Sequence, residues 1–164
     1  MATRLEDRFG EIASLGTTFE ALRREVLATP RDAEKLRGDV LAMREKMHAG
    51  HVNDSGLFDL KHDRGGIVDV EFCVQYLVLR YCATHPELAD NVGNIALLRR
   101  AGAAGLIPAE LGEAAADAYR ELRRQQHAIK LSGATYARVP AGAVENVRDA
   151  VRALWAQVMG VANG

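Results

Sequence analysis

Apolar residues recur at three- and four-residue steps along most of this chain, the spacing of one face of an α-helix. Phe19, Leu22, Val26 and Leu27 form one such stripe, with Thr17 or Thr18 ahead of it as a cap. Pro30 stops that helix, since it lacks the N–H that would continue it, and Asp32 is placed to open the next. Leu36, Val40, Met43 and Met47 carry the pattern on to Gly50, a natural stop. From Ile67 to Ala83 polar residues are few, and valine is abundant enough to fit a strand. The run is much longer than the usual strand of about five or six residues, so it predicts a helix. A helix apolar on most of its circumference must be surrounded by others. Pro86 is expected to end it.

The same reading continues to the C-terminus. Asn91 caps a piece over 92–101, closed by Gly102 and Gly105. Pro108 suits the first turn of a long helix over about 108–131, with Leu111, Ala115, Ala118, Leu122 and Ile129 on one face. "SGATYARVPAG", residues 132–142, reads as a loop. A last helix over about 143–159 turns Val147, Val151, Leu154, Trp155 and Val158 inward. The prediction is a single all-α domain over 1–164, an antiparallel bundle of six or seven helices around a buried central helix at about 66–83.

Residues 51–66 break the helical pattern. Asn53, Asp54, Ser55 and Gly56 make a loop, and 57–61 alternates apolar residues as a short extended segment does. Then comes "DLKHDRGGIVDVEF", residues 59–72: a lysine, a charged run, two glycines and a helix opening on two acids. Adjacent glycines permit positive φ and close backbone approach. The free N–H groups of a helix start can hold an anion such as phosphate, and Lys61 and Arg64 add positive charge. The plainer alternative is a tight turn with a solvated lysine. In either case at least one of Gly65 and Gly66 is expected to accept alanine within about 1 kcal/mol of the parent stability. Asp69 and Glu71 complement the helix dipole. Two positions apart is ~200° around a helix, so their carboxylates diverge and make a poor pair for one metal ion. Asp69 shares a side with Cys73, Tyr76 and Arg80, and Glu71 with Gln75.

Composition narrows the function classes. A net charge of -1 over 164 residues gives no general drive toward nucleic acid or anionic membrane. With only 5% aromatic residues, the core must come from Leu, Val, Ile, Ala and Met. No apolar run reaches the ~18 residues of a membrane span, and no signal peptide is seen, so a cytoplasmic protein is expected. Cys73 and Cys82, on one helix, fall on opposite sides and about 13 Å apart, beyond the reach of a disulfide. They read as small buried hydrophobes. His48, His51 and His62 are close in sequence, but Gly50 divides the first two and no cysteine completes a zinc set, so no metal site is expected. No Ser-His-Asp order, Walker loop or dinucleotide fingerprint appears.

The segment "FDLKHDRGGIVDVEFCVQYLVLRY", residues 58–81, resembles the signature of the helical domain in glutamine synthetase adenylyltransferases. The shared pattern is Asp59-x-Lys61, then Gly65-Gly66-Ile67, Asp69-Val70-Glu71-Phe72, and Gln75 to Leu79. "VLAMREKM" (40–47), "NVGNIALLRRAG" (91–102), "AYRELRRQQHAIKL" (118–131) and "VRALW" (151–155) resemble further segments of that family, in order. Asp69, the Gln75–Leu79 stretch and Gln126 before His127 match the second, adenylylating half of the enzyme. PII uridylyltransferase shares only the looser Lys, Gly-Gly and Glu-Phe core.

The resemblance implies a part of a larger enzyme that moves AMP from ATP, with Mg, onto glutamine synthetase. The family's catalytic Gly-Ser loop and Asp-x-Asp pair are absent from this sequence. The chain is therefore expected to contain no catalytic or metal-binding residue, to bind no cofactor alone and to be inactive by itself. Implied partners are glutamine synthetase, a PII signal protein and the enzyme's own nucleotidyltransferase domain, with no nucleic acid or membrane. Lys61, Arg64, Gly65, Gly66, Asp69 and Glu71 become candidate phosphate or interdomain contacts. The alternative is a pure interaction module that binds the synthetase or a PII regulator without touching nucleotide.

Overall fold

The computed structural model describes residues 2–161, with side chains from residue 15 onward. The chain forms α1 (Ala2–Ala28), α2 (Ala33–Ala49), β1 (Phe58–Asp59), α3 (Ile67–Tyr81), α4 (Asn94–Ala103), α5 (Ala109–Leu131), β2 (Arg138–Val139) and α6 (Glu145–Met159). Short 3-10 turns occupy Pro86–Ala89 and Ala141–Val144. The fold is an all-α bundle of six α-helices among the described residues, with one two-stranded ribbon.

The centre is α3, as its composition demands. Ile67, Val68, Val70, Cys73, Val74, Tyr76 and Leu77 are all buried, and α1, α2, α4, α5 and α6 each contact this helix. From α6, Val151, Leu154, Trp155 and Val158 close the core, and from α5, Ala115, Ala118 and Leu122. Gly102 lets α4 and α5 approach closely, since a Cβ there would lie 3.2 Å from the Cα of Ala109. It lies inside α4, and the stop expected of it falls instead to Gly105.

Other boundaries also move. α1 runs unbroken through Thr17 and Thr18, so neither caps a helix start. Its apolar stripe is largely uncovered: Phe19 is 68%, Leu22 57% and Val26 53% exposed, and only Leu27 packs, against Cys82, Leu88 and Ala89. Arginines hold α1 in place. Arg23 donates to the Ala89 carbonyl, and Arg24 pairs with Asp90 at 2.5 Å. α3 ends at Tyr81, where Thr84 and His85 N–H groups fold back onto the Tyr81 carbonyl, and Pro86 starts the next turn. α4 begins after Gly93, not at Asn91, because Gly93 takes φ +82 and turns the chain there. In α2, Asp32 caps as expected, accepting the Lys35 N–H at 2.7 Å. The buried face of α2 carries Val40 and Arg44, while Met43 is 56% exposed. The expected loop 132–142 holds β2, which pairs antiparallel with β1 in the register Phe58↔Val139 and Asp59↔Arg138.

Candidate functional site

The β ribbon fixes the base of the 59–66 turn, and two aspartates lock the turn itself. The Asp59 carboxylate accepts the N–H groups of Lys61 and His62, both at 3.0 Å. The Asp63 carboxylate accepts the N–H of Asp59 at 2.8 Å and the side-chain amide of Asn53 at 2.8 Å. Leu60 is fully buried between them, so the backbone is anchored on both sides of the exposed Lys61. Burial pushes the Asp59 carboxyl up, but the N–H bonds of His62 and Lys61 and the nearby His62 and Arg138 outweigh it. The net effect holds this carboxyl below its ordinary value.

The two glycines close the turn inward. Gly65, at φ +89, donates its N–H to the Asp69 carboxylate at 2.6 Å. The N–H groups of Gly66, Ile67 and Val68 go to the carbonyls of Asp63, Leu60 and Lys61 at 3.0, 2.9 and 3.1 Å. The helix start therefore has its N–H groups engaged within the turn, and the free-amide cradle expected from the sequence is filled by the protein itself. Neither glycine has latitude. Alanine at Gly65 would be held in the left-handed region, and a Cβ on Gly66 would stand 2.8 Å from the carbonyl oxygens of Asp63 and Leu60. The expectation that one of them accepts alanine gives way to this geometry.

Of the remaining candidates, Asp69 is fully buried and ion-paired with Arg44, which is 1% exposed. Arg44 also donates from Nη2 to the His62 carbonyl at 2.9 Å, while its Nη1 is buried without a partner among the described residues. Arg64 pairs with Glu45 on α2 at 2.6 Å. Glu71 accepts the Tyr119 hydroxyl at 3.1 Å, and that hydroxyl in turn accepts from Asn94 at 3.0 Å. Burial raises the Tyr119 pKa, with the Asn94 bond opposing and Glu71 adding to the rise.

Lys61 stands where two open grooves meet. One, of about 420 Å³, lies between the turn and the 126–137 segment, and is lined by His51, Asp59, Lys61, His62, Gln126, Lys130, Thr135, Tyr136 and Ala137. The other, of about 430 Å³, runs along α2 and α3 past Met43, Met47, Glu71, Phe72 and Gln75. His51 and His62 lie in both and stack with ring centroids 3.9 Å apart and planes 10° from parallel. Burial lowers the His62 pKa below its ordinary value, with His51 and Lys61 adding to the drop and Asp59 opposing it. Behind them Arg138 lies 4.2 Å over the Tyr136 ring and 3.5 Å from the Asp59 carboxylate.

A sequence profile for the family described as GlnD PII-uridylyltransferase matches residues 39–135, more than half of the chain. The chain belongs to that family. Within it, the chain is similar to the bifunctional glutamine synthetase adenylyltransferase/adenylyl-removing enzyme of Bordetella bronchiseptica, 58% identical over 144 residues, covering 88% of this chain and 15% of the relative. It is also similar to proteins of the same description from Burkholderia mallei (52% identical over 148 residues, 90% of this chain and 16% of the relative) and Nitrosomonas eutropha (48% over 162 residues, 90% and 17%). The chain thus spans 15% to 17% of the length of these curated relatives. The resemblance read from residues 58–81 to glutamine synthetase adenylyltransferases holds across most of the chain.

Within this family member, the motif residues divide by role. Asp59, Gly65, Gly66 and Asp69 build the turn, and Lys61 is the residue the turn displays. Arg44, Lys130, Tyr136 and Arg138 were not singled out from sequence, and His51 was weighed there only as a metal ligand. Arg44 did leave a signal: Leu36, Val40 and Arg44 are in i, i+4, i+8 register, which puts a charge on the apolar face. The other four lie outside the motif, and only the fold brings them to Lys61. Among the described residues no group of three or more His, Cys, Asp or Glu side chains is placed to hold a metal ion, and no helix is long and apolar enough to cross a membrane.

Proposed function

We propose that this chain is the helical domain of the adenylylating half of a glutamine synthetase adenylyltransferase. The whole enzyme would act in the cytoplasm, transfer AMP from ATP to a tyrosine of glutamine synthetase, and answer to a PII signal protein. Relatives at 48% to 58% identity are described as bifunctional glutamine synthetase adenylyltransferase/adenylyl-removing enzymes, and Asp69 with the Gln75–Leu79 stretch fits the adenylylating half. Among the described residues no group of three or more His, Cys, Asp or Glu side chains is placed to hold a metal ion. Because this sequence lacks the family's Gly-Ser loop and Asp-x-Asp pair, we assign metal and nucleotidyl chemistry to a separate catalytic domain and expect this chain alone to be inactive.

The observation that carries the reading is the presentation of Lys61. Asp59 and Asp63 fix the turn from within, Leu60 anchors it, and Arg44 holds the His62 carbonyl behind it. A cation held on a rigid backbone loses little freedom when it meets an anion, which is what a transfer site needs. In this role Lys61 faces the nucleotide phosphates or the interface with the catalytic domain. The test uses the intact adenylylating half with labelled ATP, Mg and glutamine synthetase. Lys61→Ala is expected to cut label incorporation at least tenfold, while this chain alone gives none. Unchanged incorporation in Lys61→Ala, or label transferred by this chain alone, would sink the reading.

A second reading has its own observation. The exposed Phe19, Leu22 and Val26 on α1 are what an interaction module would offer a protein partner. If Lys61→Ala leaves ATP affinity intact in the adenylylating half but Phe19→Glu abolishes synthetase binding, the module reading takes precedence.

A further inference from the structure

The groove between the 59–62 turn and the 126–137 segment collects two lysines and two histidines from parts of the chain that are distant in sequence. Lys61 and His62 come from the turn, His51 from the end of α2, and Lys130 from the last turn of α5. Asp59 is the one carboxylate in the lining, and it is already used by two backbone N–H groups, His62 and Arg138. What remains open to a ligand is positive charge together with the donors of Tyr136, Gln126 and Thr135. Lys130 is steadied by donating to the Thr135 carbonyl, and an ammonium keeps further N–H bonds to give. His51 holds the Met47 carbonyl through Nδ1 at 2.9 Å, so its Nε2 donates to an anion only when the ring is protonated.

We infer that this groove binds a phosphate chain, such as the di- or triphosphate of a nucleotide or free polyphosphate, between Lys61 and Lys130 with the His51–His62 stack at its side. This inference deepens the proposed function and rests on it for the source of the ligand. The chemistry stands on the groove itself. Two lysines facing no free carboxylate are matched best by one multiply charged anion, and lysine serves phosphate as a point charge. The volume of about 420 Å³ falls within the roughly 300–1,000 Å³ typical of ligand sites. The assignment also moves the anion away from the Gly65-Gly66 helix start, whose N–H groups are engaged. The anion goes instead to side chains of which only Lys61 and His62 belong to the motif.

Calorimetric titration of this chain at low ionic strength, with inorganic triphosphate, ATP and adenosine in parallel, tests the site. Triphosphate and ATP are expected to bind and adenosine not to bind. Equal affinity for the two anions identifies a site for the phosphate chain alone, and tighter ATP adds a contact to the nucleoside. Lys61→Ala and Lys130→Ala are each expected to weaken triphosphate at least fivefold with unchanged circular dichroism. Arg124→Ala, on the exposed side of α5, should leave it unchanged. The imidazole resonances of His51 and His62 should shift on titration. Absence of triphosphate binding, or equal weakening by Arg124→Ala, overturns the inference. If triphosphate fails to bind here while Lys61→Ala still abolishes adenylylation in the intact half, the site assignment falls and the proposed function stands. If triphosphate binds through both lysines and adenylylation ignores Lys61, the reverse holds.

Discussion

Gly65 donates its backbone N–H to the Asp69 carboxylate at 2.6 Å, from a left-handed conformation that only glycine adopts without strain. The other oxygen of that carboxylate takes the Arg44 guanidinium. One buried acid thus ties α2, the turn and α3 together, and it does so beneath the lysine that the turn displays.

Removing one partner of this pair leaves an uncompensated buried charge. Asp69→Asn and Arg44→Met are each expected to lower the unfolding free energy by about 3–5 kcal/mol in urea melts. The double variant Arg44→Met/Asp69→Asn is expected to lose less than the sum of these two singles, because neither charge is then left buried without its partner. Single losses below about 1 kcal/mol would show that the pair does not hold the turn.

Glycine replacements sort by surroundings. Gly66→Ala drives a Cβ into two carbonyl oxygens and is expected to cost about 2 kcal/mol or more. Gly65→Ala keeps a positive φ and is expected to cost about 1–3 kcal/mol. Gly38→Ala, exposed in α2 with nothing within 4 Å, is expected to stabilise by up to about 1 kcal/mol. Thermal melts of the three variants would check the order, and a neutral Gly66→Ala would contradict the packing described for the turn.

His62 makes the turn sensitive to acid. Its pKa in the fold is below the ordinary 6.5, so the folded state binds fewer protons than the unfolded chain as pH falls. Its stabilising contribution is complete above about pH 6.5 and is lost as pH drops through the folded pKa. His51, Lys61, Lys130 and Arg138 face it as cations or potential cations, with Asp59 and Glu71 as acids. Asp59 behaves alike at lower pH: its contribution is present above about 3.8 and disappears as pH falls through its depressed value. Tm measured from pH 8 to 5 is expected to decline more in the parent than in His62→Gln. Parallel curves would remove His62 from this role.

Both thiols are expected to be silent in the native state. Burial pushes the Cys73 thiol well above its ordinary 9.0, with Asp69 adding to the rise. Burial also raises Cys82, against the opposing charges of Arg23 and Arg24. Ellman's reagent is expected to modify them at the rate of unfolding. Prompt reaction of Cys73 in native buffer would contradict its burial.

The helices were legible because their signals are local. The apolar run 67–81, Asp32, Gly50 and Pro108 each mark an element by its own chemistry. The 57–61 alternation even disclosed β1. Its partner β2 was not legible, since Arg138 and Val139 sit among loop residues and become a strand only by pairing with Phe58 and Asp59. Asp69 looked like a dipole-complementing acid because its partner Arg44 comes from another helix. The α1 stripe was read correctly as apolar, but a periodicity does not say whether anything covers it. Lys61 was found through its motif. Lys130 ends a segment matched only as a whole and Tyr136 lies in the expected loop, and only tertiary structure places them across from it.

The groove has one wall from residues 51–62 and the other from 126–138, so it has no existence until both have been made and folded. During synthesis, α2 and α3 can emerge and begin to pack while the second wall is still inside the ribosome. A chain truncated before Gln126 would keep Lys61 and its turn residues yet lack the opposite bank. Anion capture by this groove would therefore report a finished domain, and a growing or clipped chain would be blind to the ligand however well its central helix had formed.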